Sequence, residues 1–229
     1  VMGGLVARLL AGIYRFGTSL FSRRIAVSHR TAAALEKEGY PVPAVVEFGL
    51  EPEAFRGQEP EAFSDVAPVH FIYCGRLTPI KSVDQSLTVL LSLRSAGAAF
   101  RFDIIGEGSE RDRLEQMVRE AGATGVVVFH GEVSEAMKRT LLGESDVFLL
   151  SSPREGFSIA TLEAMAQGCA AVVVSDPQQP NGALDFVHDG IEGIVVSPGA
   201  DALREVLARL LDDVGQRLQF RRAAWKRSQ

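Results

Sequence analysis

Charged side chains follow an apolar, strand-like run of this chain at positions from which they can reach a ligand. Glu155 stands in a loop after the run Val147–Leu150, and Glu163 stands on a short helical pattern that Gly168 ends. In a parallel α/β sheet such a loop lies at the carboxyl end of a strand, where ligands bind. The start of the helix adds free N–H groups and a positive dipole end, which favour an anion. A loop carboxylate beside an anion site predicts a ligand that is both polyhydroxylated and phosphorylated.

A pair of cations, Arg76 and Lys81, flanks the turn after another strand-like run at 69–74. If the strands are parallel, this turn shares one edge of the sheet with Glu155. Arginine offers a bidentate fork to phosphate oxygens, and lysine offers a mobile point charge. The residues alone leave two interpretations open, because these cations either bind an anion or are ordinary solvated side chains of a loop.

Two further turns after strand-like runs contain glycine. Gly106 and Gly108 precede a helical pattern, and either a tight turn or the close approach of a ligand to the backbone explains them. The turn at 129–133 includes Gly131, and its backbone groups are suited to hydrogen-bond a flat base. His130 in that turn has no carboxylate or serine partner at a catalytic spacing, which favours a packing role.

Glu163 is the least expected residue of the chain because it lies on an otherwise apolar helix face. A buried carboxylate is costly unless it is paired or hydrogen-bonded. Its partner is either internal, such as a backbone N–H or an arginine, or the hydroxyl groups of a ligand. The sequence contains no G-x-S-x-G elbow, no H-E-x-x-H motif and no P-loop, and no residues at the spacing of metal ligands.

Alternating strand-like and helical patterns carry these turns from residue 69 onward. Strands are predicted at 69–74, 101–105, 125–130, 146–151, 170–175 and 193–196. Helices are predicted at 83–95, 109–121, 134–142, 158–167 and 182–188, with a longer helical end from 201. Ser109 and Asp112 resemble a capping box, and Gly122 a C-cap. The alternation predicts an α/β fold, a Rossmann-like parallel sheet of six strands with helices on both faces.

The first part of the chain is less regular. Residues 1–24 predict an amphipathic helix that either packs on a sheet or lies on an anionic lipid surface. Short strands at 25–28 and 44–49 flank a helix at 30–38 and are followed by a segment rich in proline and glutamate. So few elements bury too little apolar surface to stand alone.

We therefore interpret residues 1–57 as an incomplete remnant of a preceding α/β domain with its junction. Residues 58–67 are predicted to be a linker, and 68–229 the main domain, with the last helix packing back on the preceding domain.

The composition excludes some classes of function. The 229 residues are 46% hydrophobic and 23% charged, which is ordinary for a globular protein. The formal net charge of -5 argues against nucleic acid as a partner. A solvated helix face explains the basic residues near the end of the sequence, which are Arg217, Arg221, Arg222, Lys226 and Arg227.

The two cysteines, Cys74 and Cys169, lie in apolar settings without metal-ligand spacing, which predicts buried thiols in a reducing compartment. No apolar run reaches the length of about 18 residues that a spanning helix needs, and no signal peptide is recognised. The expected location is the cytoplasm, with peripheral contact at the inner membrane face if residues 1–24 bind lipid.

The four turns, in this order, resemble those of the retaining, GT-B-fold glycosyltransferases of group 1, also called family 4. The resemblance rests on Gly75-Arg76 with Lys81-Ser82, on Gly106-Glu107-Gly108, and on the E-x7-E motif formed by Glu155 and Glu163. It implies that residues 68–229 are the C-terminal domain that binds the sugar donor. The donor would be a UDP-, GDP- or ADP-sugar, and the acceptor a sugar, a lipid-linked molecule or a small molecule.

The resemblance also implies a role for each matching residue. Arg76 and Lys81 would hold the diphosphate and stabilise the departing charge, while Glu155 would lie near the donor sugar as nucleophile or positioning group. Glu163 would bind the ribose hydroxyls, and no metal or other cofactor would be required. The remaining residues implied in donor binding lie in the turns and are Gly75, Gly106, Gly131, Gly156, Phe157 and Ser158.

The sequence departs from this family at three places. Ser82 replaces the usual glycine after the lysine, and residues 177–182 replace a Gly-Gly-x-x-Glu loop found in many members. The resemblance further implies that most of the N-terminal domain, which binds the acceptor, is missing. Two other functions therefore stay open, a non-catalytic nucleotide-sugar binding module that needs a partner chain, and a GT-B-fold epimerase or phosphorylase.

Overall fold

The computed structural model describes residues 25–40, 42, 44–50, 59–60 and 68–229. The helix predicted over residues 1–24 lies outside this part of the chain. The first described elements are β1 (Ile25–Ala26), α1 (His29–Lys37) and β2 (Ala44–Val45). β1 and β2 pair in parallel, so these residues form a small βαβ unit.

The main sheet follows from residue 69. Its strands are β3 (Val69–Cys74), β4 (Phe100–Ile105), β5 (Val127–Gly131), β6 (Val147–Leu150), β7 (Ala170–Val174) and β8 (Gly193–Val196). The helices are α2 (Val83–Ser95), α3 (Arg111–Glu120), α4 (Glu135–Gly143), α5 (Ile159–Ala166), α6 (Ala200–Asp212) and α7 (Val214–Ser228).

All six strands of this sheet are parallel, in the order β5-β4-β3-β6-β7-β8. The order reverses between β3 and β6, which are direct neighbours, as in doubly wound dinucleotide-binding sheets. The predicted six-stranded parallel sheet with helices on both faces is confirmed.

Both faces of the sheet are buried, which explains why its strands are almost continuously apolar. Phe71 and Tyr73 of β3 point to a core shared with α2, α3 and α6. Ile72 of β3 and Phe148 of β6 point to the opposite core, shared with α4 and α5. The sheet is therefore a rigid support for the turns at its carboxyl edge.

Three local predictions were wrong. α3 begins at Arg111 after Glu110, without side-chain capping, because the Glu110 N–H donates to Leu77 O and ties this loop to the turn after β3. The helix expected at 182–188 is a short 3-10 turn, Gly182–Asp185. The long helical end is two helices, separated at Asp213, whose carboxylate accepts from Gln216 N at 2.8 Å and caps α7. Gly122 does follow α3 in a left-handed conformation, as predicted.

The last helix, α7, packs on β7 and α5. Arg221 of this helix is buried, donating to Gly168 O at 2.9 Å and to Asp146 Oδ1 at 2.9 Å. One of the basic residues near the end of the sequence is thus a core residue and not part of a solvated face. Before the six-stranded sheet in sequence, α7 contacts Pro60, whose carbonyl accepts from Arg222 at 3.1 Å. The packing of α7 on a preceding domain stays a prediction.

Within the described residues, no helix has both the length and the apolar character needed to span a membrane.

Candidate functional site

A pocket of about 350 Å³ opens at the carboxyl ends of β3 and β6. These are the two neighbouring strands at which the strand order reverses, the position where such sheets bind ligands. The predicted site residues that line the pocket are Gly75, Arg76, Lys81, Glu155, Gly156, Phe157 and Ser158. The sheet topology therefore brings the turn after β3 and the loop after β6 into one site.

The two cations of the pocket differ in their surroundings. Lys81 ends a 3-10 turn, Pro79–Lys81, and its Nζ donates to Glu155 Oε1 at 2.6 Å. The Ser152 hydroxyl donates to the same oxygen at 2.5 Å. Arg76 is exposed, and its side chain forms no hydrogen bond or ion pair within the described residues. Lys81 is therefore already paired, whereas Arg76 is available to an incoming anion.

The start of α5 leaves donors available to a ligand. Ser158 precedes the helix with φ of 70°, and its hydroxyl bonds to Thr161 Oγ1 at 2.8 Å instead of capping the helix. The backbone N–H groups of Phe157, Ser158 and Ile159 have no acceptor in the part of the chain that the structure describes. Free N–H groups and the helix dipole together favour an anion at this position.

The conformation of Ser82 shows why glycine is usual at the position after Lys81. Ser82 has φ of 50°, in the left-handed region that glycine adopts without steric cost. The turn therefore requires a left-handed residue after Lys81, and in this chain a serine adopts that conformation.

Glu163 lies outside the pocket lining and has an internal partner. Its Oε1 accepts from Lys138 Nζ at 2.8 Å, and the side chains of Glu163 and Lys138 are 19% and 14% exposed. Lys138 also contacts Glu135 at 2.8 Å. Burial lowers the pKa of Lys138, but the hydrogen bonds to Glu135 and Glu163 outweigh it and raise the pKa above its usual value. The internal partner of Glu163 is thus Lys138 of α4, which the sequence spacing did not predict.

Gly106 and Gly131 also lie outside the lining. Gly106 has φ of 127°, and a Cβ there would overlap Gly75 O. Leu77 N donates to Glu107 O at 2.8 Å, so the turns after β3 and β4 pack directly on each other. The G-x-G turn thereby supports the turn that carries Arg76.

His130 does have a carboxylate partner, contrary to the interpretation of its spacing. Its Nε2 lies 2.7 Å from Oδ1 of Asp103, a fully buried residue of β4. The same carboxylate lies within 3.5 Å of His70 Nε2 and 2.8 Å of Arg101 Nε. This cluster is a structural network of the sheet, and none of its members lines the pocket.

Tyr73 and Cys74, which the sequence did not assign to the site, also line the pocket. The Tyr73 hydroxyl donates to Arg76 O at 3.0 Å, and burial raises its pKa. Burial also raises the pKa of the Cys74 thiol to about 11, so the thiol is neutral at physiological pH. Among the described residues there is no group of three or more histidine, cysteine, aspartate or glutamate side chains suited to a metal ion.

Comparison with known proteins identifies the family. The family model described as glycosyl transferases group 1 matches residues 58–227. The chain belongs to this family. It is similar to the GDP-mannose-dependent alpha-(1-6)-phosphatidylinositol dimannoside mannosyltransferase of Mycobacterium tuberculosis, with 40% identity over 104 residues, covering 44% of the chain and 26% of that protein. It is also similar to the alpha-D-kanosaminyltransferase of Streptomyces kanamyceticus, with 28% identity over 163 residues, covering 70% of the chain and 41% of that protein.

Solved structures share the fold at low sequence identity. Anabaena Alr3699/HepE, in complex with UDP and glucose, aligns with a TM-score of 0.75 and 20% identity, covering 90% of this chain and 58% of that one. The C-terminal domain of the Francisella tularensis group 1 glycosyl transferase LpcC aligns with a TM-score of 0.64 and 22% identity, covering 78% and 96%. The predicted GT-B type of the sheet is confirmed by these glycosyltransferase neighbours. The chain spans between 26% and 41% of the length of the two curated relatives.

Proposed function

We propose that this chain binds a nucleotide-diphosphate sugar and supplies the donor site of a retaining family 4 glycosyltransferase. The observation that carries the proposal is the convergence of Arg76, Lys81, Glu155 and the start of α5 in one pocket at the point where the strand order reverses. Two cations and a helix N-terminus match a diphosphate, and a carboxylate matches sugar hydroxyls.

In this proposal, Arg76 and Lys81 stabilise the negative charge that develops on the diphosphate as the glycosidic bond breaks. Such stabilisation is strongest when the donors are held in place before the reaction. The ion pair with Glu155 holds Lys81 in that way. The free N–H groups of Phe157 and Ser158 contact the phosphate or sugar from the opposite side of the pocket.

Glu155 positions the sugar in this scheme and does not attack it. Its Oε1 already accepts hydrogen bonds from Lys81 and Ser152, which lowers the charge available for attack. Retention is then achieved by front-side displacement, in which the acceptor oxygen approaches from the side of the leaving diphosphate. No metal or other cofactor takes part in this proposal.

Glu163 accepts hydrogen bonds from the ribose, with Lys138 holding the carboxylate in place. The end of β5, at Gly131, contacts the base together with the turn that follows. The relative from Mycobacterium tuberculosis is GDP-mannose-dependent by name, which makes GDP the first base to test, and UDP follows from its presence in the Anabaena complex.

The acceptor and the transfer itself belong to a longer protein in this proposal. Residues 1–57 are then the end of an acceptor-side domain, 58–67 a linker and 68–229 the donor domain. The acceptor is a sugar, a lipid-linked molecule or a small molecule, and the reaction takes place in the cytoplasm or at the inner membrane face.

Titration calorimetry of this 229-residue chain with GDP, UDP and ADP tests the proposal. We expect one nucleotide to bind more tightly than the others and the Glu163→Ala variant to bind it more weakly, because the ribose loses its acceptor. Absence of binding by a folded chain, with circular dichroism showing native helix content, would contradict the proposal.

A further inference from the structure

The carbonyl of Gly156, in the middle of the pocket loop, accepts hydrogen bonds from the first turn of α1. Ser28 Oγ lies 2.7 Å and Thr31 Oγ1 3.0 Å from Gly156 O, and the two hydroxyl oxygens lie 2.8 Å apart, so the hydroxyls donate to this carbonyl as one hydrogen-bonded cluster. Ser28 is completely buried. Both hydroxyls lie outside the segment 58–227 that matches the family, so the family match assigns them no role.

The other side of the loop is fixed as well. Glu155 N donates to Pro180 O at 3.1 Å, and Gly182 N donates to Glu155 O at 2.9 Å. The loop that carries Glu155 therefore lies between residues 180–182 on one side and α1 on the other. Two successive peptide groups, 155–156 and 156–157, have their carbonyl directions set by these contacts.

The direction of a carbonyl also sets the direction of the N–H group in the same peptide. All described peptide bonds are trans, so the Phe157 N–H points opposite to the Gly156 carbonyl and away from Ser28 and Thr31. This N–H has no acceptor within the described residues. Hydrogen bonds to a carbonyl polarise its peptide group, which makes the attached N–H a stronger donor.

We propose that Ser28 and Thr31 are positioning residues of the donor site, which act through the Gly156 carbonyl to orient the Phe157 N–H toward the diphosphate and the Glu155 carboxylate toward the sugar. This inference rests on the proposed function and assigns part of the donor site to the segment that precedes the family match.

The hydroxyls of Ser28 and Thr31 are not needed merely to hold α1 against the main domain, because other contacts do so. His29 N also donates to Asp185 Oδ2 at 2.5 Å, and α1 packs on the 3-10 turn Gly182–Asp185. Ser28 does have a second task, because its Oγ accepts from Thr31 N at 3.0 Å and caps the helix. An experiment must therefore separate loop orientation from helix stability.

The variants to compare are Thr31→Val, which removes only the hydroxyl, Thr31→Ser, which keeps it, and the double variant Ser28→Ala with Thr31→Val. Ala33→Gly is the control for helix stability, because Ala33 is an exposed residue of α1 and glycine weakens a helix. Each protein is titrated with GDP, UDP and ADP and, at millimolar concentration, with the matching nucleosides. Thermal unfolding of each variant is measured in parallel.

We expect Thr31→Val to weaken diphosphate binding on the order of threefold to tenfold, and the double variant to weaken it further, as loss of one and two hydrogen bonds implies. Nucleoside binding stays unchanged, and Thr31→Ser and Ala33→Gly bind the diphosphate as the parent does. The inference is overturned if the double variant binds like the parent, or if Ala33→Gly loses as much affinity as Thr31→Val. A parent chain that binds none of the three diphosphates would instead refute the proposed function, and this inference with it.

Discussion

At the scale of single residues, the two cations of the pocket are not equivalent. Lys81 is bonded to Glu155, and the two side chains are only 20% and 12% exposed, whereas Arg76 is exposed and unpaired within the described residues. In the proposed function, removing Arg76 takes away a ligand contact alone. Removing Lys81 takes away a proposed ligand contact and also leaves the Glu155 carboxylate without its cation.

Replacing either Arg76 or Lys81 with alanine should weaken nucleotide-diphosphate binding by about 1.5–3 kcal/mol, the scale of a hydrogen bond to a charged group. Titration calorimetry measures the loss. Arg154→Ala is the control, because Arg154 is an exposed cation of the same loop that does not line the pocket. Unchanged affinity in the Arg76 and Lys81 variants would remove both residues from the site.

The Cys74 thiol gives a prediction for pH. Its pKa is raised to about 11 because burial disfavours the thiolate, with the Lys138 charge opposing part of this effect. Between pH 9 and 11 the unfolded thiol loses its proton while the folded one keeps it, so the free energy of unfolding falls as pH rises. The difference in unfolding free energy between the parent and Cys74→Ala should thus change by about 1 kcal/mol from pH 8 to pH 10. Urea titrations at both pH values test this, and parallel profiles would argue against it.

At the scale of secondary-structure elements, the alternation of strands and helices could be predicted because the apolar residues recur with clear strand-like or helical spacing. The strands β3 and β8 and the helix α2 have the predicted bounds. The capping prediction at Ser109 failed because a contact between two turns, Glu110 N to Leu77 O, determines where α3 begins. Local pattern carries no information on such contacts.

The same reason explains which site residues were missed. Lys138 was not expected beside Glu163, since their pairing depends on α4 and α5 being neighbours in space. Asp103 was not expected beside His130, because β4 and β5 had to be paired in a particular register. The grouping of Arg76, Lys81 and Glu155 was predicted, because parallel strands place all strand-ending turns at one edge of the sheet.

The last helix offers a test at this scale. Arg221 is buried with Asp146 at 2.9 Å, and burial lowers its pKa. Arg221→Leu should reduce the free energy of unfolding by about 3–5 kcal/mol, because it leaves Asp146 without its cation. Chemical denaturation measures the change. Arg227→Leu, at an exposed position of the same helix, should stay within about 0.5 kcal/mol of the parent. An equally small effect of Arg221→Leu would show that α7 is held by its apolar face.

At the scale of the whole molecule, the strand order determines the composition of the site. Because β3 and β6 are neighbours although they are far apart in sequence, cations from the turn after β3 meet a carboxylate from the loop after β6. The contacts that support the pocket loop come from a third region, because Ser28, in the segment before the sheet, bonds to the Gly156 carbonyl. The proposed donor pocket is thus assembled from three separate regions of the chain.

The ion pair between Lys81 and Glu155 also has a consequence for ionic strength. The molecule carries a formal net charge of -5, so at long range it repels an anionic nucleotide. Lys81 contributes little to the distant field because its charge is neutralised at 2.6 Å, and Arg76 is left to attract the ligand. Salt screens that attraction and the general repulsion together, over a Debye length of about 8 Å at physiological concentration. Diphosphate affinity should therefore change little between low and moderate salt, unlike that of a site with two unpaired cations.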